Sequence, residues 1–155
     1  MTGLNPEKDV IVEIATLITD DNLEIIAEGP DLVIHHPDET LTVMNDYVKN
    51  MHEGSGLLDD IKKSSISLEQ AGAETLQFLK SHIQESGSIP LCGNSIGTDR
   101  RFLVKTFPEI DDFLHYRCVD VSTVKELVGA AQDDARTIRT DLRTDIHDAL
   151  SLIHI

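Results

Sequence analysis

The run DVIVEIATLIT, from Asp9 to Thr19, constrains this chain more than any other feature. It is crowded with β-branched residues and reads as a strand. Asp20-Asp21-Asn22 follows as turn chemistry. LEIIAEGPDLVIHH, from Leu23 to His36, then reads as the hairpin partner, broken near Gly29-Pro30. Downstream the period changes to that of helices. Short helices are expected across 39–52 and 57–63. Ser67 caps a longer one reaching about Ile83, with Gln70 three positions after the cap and Leu68, Ala71, Leu76 and Leu79 on its apolar side. Pro90-Leu91-Cys92 reads as a short buried strand, and Gly93-Asn94-Ser95 as the loop into a helix from Ile96 to about Phe107. Arg117-Cys118-Val119-Asp120 reads as another strand, and Ser122 as the cap of a helix carrying Val124, Leu127 and Val128. An early hairpin followed by strand–helix units predicts an α/β domain with a mixed sheet flanked by helices.

Size and charge narrow what such a domain can do. The 155 residues hold no low-complexity linker and make one domain, long enough to bury a core without disulfides. Cys92 and Cys118 both stand in apolar, strand-like contexts and are read as buried free thiols. With no signal peptide and no apolar run of membrane length, the reading is a cytoplasmic protein with no membrane partner. The formal net charge of −15 argues against broad electrostatic binding of long duplex nucleic acid, which needs a basic face. A small anionic substrate held by a few placed cations, amides and metal ions stays open.

Three stretches carry chemistry. MTGLNPEKDVIVEIATLIT enters a strand within a few residues of its start. In CGNSIGTDRRFL, an amide loop, the Ser95 hydroxyl, an acid at Asp99 and two arginines follow a buried strand, which suits a metal and phosphate site. An acid in a first helical turn also serves the helix dipole by itself. In HYRCVDVSTVKEL, the His-Tyr-Arg group before a strand can stack on a base and bind a phosphate. A strand, a turn and an N-capped helix explain Asp120, Ser122 and Thr123 equally well.

In order and at suitable separations, these three stretches resemble the oligoribonuclease family from Met1 to about Leu127. The resemblance implies a ribonuclease-H-like exonuclease fold and a 3′–5′ exoribonuclease that degrades very short RNA to mononucleotides. It also implies two divalent ions, Mg²⁺ or Mn²⁺, and a homodimer. The family site uses four acids and a histidine. Asp99 matches the third acid, a metal ligand. Leu4 matches an apolar wedge against a substrate base, and Ser95, Arg117, Ser122 and Thr123 resemble the group that binds the terminal phosphate. Tyr116 matches an aromatic supplied across the dimer interface, while Tyr47 and His52 fall where the family has further substrate contacts. The last two also read as a packed tyrosine and a surface histidine.

Where the chain departs from the pattern, expectations follow. The family's first strand carries an Asp-X-Glu immediately before Met-Thr-Gly-Leu; here Met1 is the first residue, so that strand and both acids are expected to be missing and this copy to be inactive. The family's last motif is a His followed five residues later by Asp. His147, in His-Asp-Ala-Leu, is the candidate for the family's general base, although Leu152 stands at the acid's place. Ile138, Leu142 and Ile146, spaced by four, predict an amphipathic helix over 137–147. The closing LSLIHI resembles translated adaptor sequence, so 1–127 is taken as an incomplete exonuclease domain and 128–155 as a helical segment of foreign origin. Two other readings stand beside this one: a DNA-directed relative such as a proofreading subunit, and a non-catalytic binding or dimerisation module that retains the fold.

Overall fold

Alternation along the first strand decides how the layers assemble. In the computed structural model, which describes residues 1–130 and 153–154, Ile11 and Val12 are both fully buried yet belong to different clusters. Successive side chains of an extended chain face opposite ways. Within the strand, Ile14 and Ile18 on one face join Leu32, Leu79, Phe102 and Ile110 in the main core. Ile11, which lies before the strand, joins the same cluster, while Val12 packs with Met44, Leu57 and Ile61. Each such Ile or Leu contributes about 1.5–3 kcal/mol on burial.

The first strand, β1 (Glu13–Thr19), pairs antiparallel with β2 (Ile25–Val33). The turn between them is held by Asp20, whose Oδ1 accepts the amides of Asn22 at 2.8 Å and Glu24 at 3.0 Å. Contrary to the sequence expectation, β2 is not broken at Gly29-Pro30. Ala15 pairs with Asp31 and Leu17 with Glu28, so Gly29 and Pro30 together face Thr16 as a bulge. Because β2 lies at the sheet edge, Pro30 needs no ladder amide.

Helices α1 (Asp38–Leu41), α2 (Asp46–Ser55) and α3 (Leu57–Lys63) follow. The Asn45 side chain caps α2 by accepting the Val48 amide at 2.9 Å, and Gly56, at φ +82°, turns the chain between α2 and α3. Ser67 caps α4 (Leu68–His82) through the Gln70 amide, as its sequence predicts. β3 (Pro90–Gly93), α5 (Ile96–Thr106), α6 (Pro108–Phe113), β4 (His115–Asp120) and α7 (Val121–Ala130) come next, with β4 parallel to β3.

Three further expectations are corrected. Among the described residues the strands form two sheets, β2-β1-β5 and β3-β4, rather than one mixed sheet. The short β5 (Ile153–His154) pairs with β1 only at Ala15 and Thr16; it lies beside β3 without joining the two. β4 begins at His115, so His115 and Tyr116 belong to the strand with Arg117 rather than preceding it. Cys118 is exposed along with its β4 neighbours Tyr116, Arg117 and Val119, and only Cys92 is buried. Burial raises the Cys92 thiol pKa. The predicted helix over 137–147 lies outside the described residues.

Candidate active site

The first ten residues fold back on themselves. Thr2, almost wholly buried, accepts the Val10 amide on Oγ1 at 2.9 Å and donates to Asp9 Oδ1 at 3.2 Å. The other oxygen of Asp9 accepts the Asn5 amide at 2.9 Å, and the Asn5 carbonyl accepts the amides of Lys8 and Asp9. Leu4 stands at the tip with 71% of its surface exposed, too much for a residue serving the core.

This loop forms one wall of a cleft of about 1060 Å³, and α2 forms another. Tyr47 and His52 reach the cleft from α2, with Val43 and Met51 adding apolar surface. Tyr47 is highly exposed, whereas His52 is buried and donates from Nε2 to the Met1 carbonyl at 2.9 Å. His52 is therefore neither the expected surface histidine nor a free ring: it ties α2 to the chain start. Leu4, Tyr47 and His52, far apart in sequence, share one cavity.

Acidic charge collects at the same end. The Met1 ammonium has a pKa lowered by burial, and Glu13, Asp99 and Asp9 work against that lowering. Asp99 arrives there in the first turn of α5. Among the described residues, however, no group of three or more His, Cys, Asp or Glu is placed to hold a metal ion. The carboxylates among the described residues do not make a complete two-metal site.

A second cluster forms where β3 and β4 end. Ser95, in the left-handed region at φ 57°, donates its amide to Asp120 Oδ1 at 3.0 Å. The same oxygen accepts the Ser122 amide at 2.9 Å and the Ser122 hydroxyl at 2.6 Å. Asp120, the residue before Val121, thus caps α7, and the expected cap at Ser122 is corrected. Partial burial works to raise the Asp120 pKa, but the Ser122 hydroxyl and the surrounding amides outweigh it and hold the carboxyl below its ordinary value. Ser95 and Ser122 are brought together as the resemblance implies, with Asp120 already holding their donors; Thr123 is exposed on the same helix. The importance of Asp120 was missed because Asp-Val-Ser-Thr reads equally well with the cap on either polar residue.

Tyr116 and Arg117 form a third group. Tyr116 is 74% exposed, stacks on His115 with centroids 4.4 Å apart and takes the Arg117 guanidinium over its ring at 5.5 Å. Arg117 Nε also donates to the Tyr116 hydroxyl at 3.1 Å. The two arginines after Asp99 have other partners. Arg100 donates to the carbonyls of His115 and Tyr116, each at 2.9 Å, and pairs with Asp111 at 2.7 Å. Arg101 donates to the Leu4 carbonyl at 3.4 Å. His147 lies outside the described residues.

An α/β fold with an acid-lined cleft beside a strand–loop–helix unit is the setting of a nuclease, and the chain matches the exonuclease family model over residues 1–151. Among curated proteins it is 53% identical over 128 residues to the oligoribonuclease of Pseudoalteromonas atlantica, covering 83% of this chain and 70% of that protein. The oligoribonuclease of Ruthia magnifica is 51% identical over 138 residues, covering 89% of this chain and 76% of its own. That of Escherichia coli K12 is 52% identical over 127 residues, covering 82% and 70%. The chain belongs to the oligoribonuclease family of 3′–5′ exoribonucleases. Exonucleases of this kind work with divalent metal ions.

Proposed function

We propose that this chain takes very short RNA into the cleft between the 2–10 loop and α2, with Leu4 wedged against a base and Tyr47 and His52 lining the pocket. The observation that carries this reading is the convergence of Leu4, Tyr47 and His52 on one cavity whose end is rich in acid. A cavity of about 1060 Å³ suits a ligand of a few nucleotides, whereas a net charge of −15 gives a long polyanion no attractive face. Ser95, Ser122, Thr123 and Arg117 are assigned to the substrate's terminal phosphate. For Ser95 and Ser122 this requires Asp120 to release the donors it holds.

The ions are proposed to be Mg²⁺ or Mn²⁺, with Asp99 as a ligand. The 155-residue chain is proposed to bind short RNA without turning it over at a useful rate, because a single assigned carboxylate holds two Mg²⁺ ions too weakly. The exposed edge of β4, with Tyr116 and Val119 on it, fits a homodimer in which Tyr116 reaches the partner's cleft. No helix among the described residues is long and apolar enough to cross a membrane, and a cytoplasmic setting is proposed.

A labelled diribonucleotide, the matching dideoxyribonucleotide and a long single-stranded RNA should be compared for binding to the purified chain, with release of mononucleotide followed in Mg²⁺ and in Mn²⁺. Preferential binding of the diribonucleotide is expected. Equal or tighter binding of the DNA would favour a DNA-directed exonuclease. Metal-dependent mononucleotide release would overturn the proposed lack of turnover while supporting the exoribonuclease assignment.

A further inference from the structure

We infer that the Thr2–Val10 loop is a rigid mount for Leu4, and that Asp9, Arg101 and Lys105 are positioning residues for substrate binding that act through it. This rests on the proposed role of Leu4. A leucine this exposed, on a free loop, would lose conformational entropy each time it pressed on a base, and that loss would weaken binding. Here the loop is fixed from two sides.

From inside, the two oxygens of Asp9 hold the Thr2 hydroxyl and the Asn5 amide, one on each flank of Gly3-Leu4. The packing is close enough that a Cβ on Gly3 would lie 2.5 Å from the Asp9 carboxylate. From outside, α5 supplies two cations one helical turn apart. Arg101 donates to the Leu4 carbonyl at 3.4 Å, and Lys105 donates to the Pro6 carbonyl and pairs with Glu7 at 3.1 Å. Asp99 stands on the same helix. One rigid element therefore carries both the acid assigned to metal and the cations that hold the wedge, which fixes the base contact relative to the acid. Nothing in the sequence pattern separates Lys105 from an ordinary solvated charge, and the pattern points Arg101 toward phosphate rather than toward the loop.

The test is a double-mutant cycle on binding of a fluorescent diribonucleotide to the full chain, with thermal unfolding recorded for every variant. Leu4→Ala is expected to weaken binding about tenfold. Asp9→Ala and the double variant Arg101→Ala/Lys105→Ala are each expected to weaken it about three- to tenfold in the presence of Leu4, and to have no further effect in the Leu4→Ala background. Equal weakening in both backgrounds, or none in either, would overturn the mount. An unchanged affinity for Leu4→Ala would instead remove the wedge itself and the mount with it. Should Asp9→Ala fail to fold, the exposed Arg101/Lys105 pair decides the question alone.

Discussion

The cleft and the β3–β4 end hold their polar groups in opposite ways. Around the cleft, side chains bind backbone so that a loop keeps its shape and offers exposed, uncommitted surface in Leu4 and Tyr47. At the β3–β4 end, the candidate groups are spent on one another: Asp120 holds Ser95 and Ser122, Arg117 lies over Tyr116, and Arg100 is tied to β4 and Asp111. The first region is ready to receive a ligand. The second must exchange partners to do so, and substitutions there should be felt in stability before they are felt in binding.

The largest expected effect lies in the second region. Arg100→Ala would strand the partly buried Asp111 and free two β4 carbonyls, costing about 3 kcal/mol. Chemical denaturation measures this, and a loss below about 1 kcal/mol would show that β4 does not depend on α5. Next, Tyr47→Ala should weaken diribonucleotide binding about fivefold while leaving the unfolding midpoint unchanged, because the ring is 79% exposed and supports no core residue. A shift in midpoint without loss of affinity would reverse the contrast between the regions. Asp120→Ala should cost about 1 kcal/mol as a lost helix cap.

The smallest effect is a pH dependence. Asp120 has its carboxyl held below the ordinary value in the folded protein, so its contribution is present at neutral pH and is lost as pH falls through the folded pKa. The fall in stability below about pH 4 should be shallower in Asp120→Asn than in the parent. An identical acid limb would mean that Asp120 is no better held folded than unfolded.

How much of this was legible depended on whether a signal was local. The β1–β2 hairpin, the Ser67 cap and the helix after Gly93-Asn94-Ser95 were readable because period, turn chemistry and caps are written in neighbouring residues. The bulge at Gly29-Pro30 was taken for a break because only the pairing partner reveals that two residues oppose one. Leu4 and Asp99 came through resemblance. The sharing of one cavity by Leu4, Tyr47 and His52, and the burial of His52 against the Met1 carbonyl, are long-range facts that no local pattern encodes. The arginines after Asp99 were read toward phosphate for the same reason, since their partners on β4 and the 2–10 loop are far away in sequence.

The pairing of Ile153–His154 with Ala15 and Thr16 joins residues separated by nearly the full length of the polypeptide. Closing so long a loop for a ladder of two residues returns little enthalpy for much lost freedom, so this clasp belongs at the end of assembly. On a ribosome, β1 would emerge early and wait with one flank open until Ile153 and His154 had been made, the interval in which it is most exposed to pairing with another nascent chain.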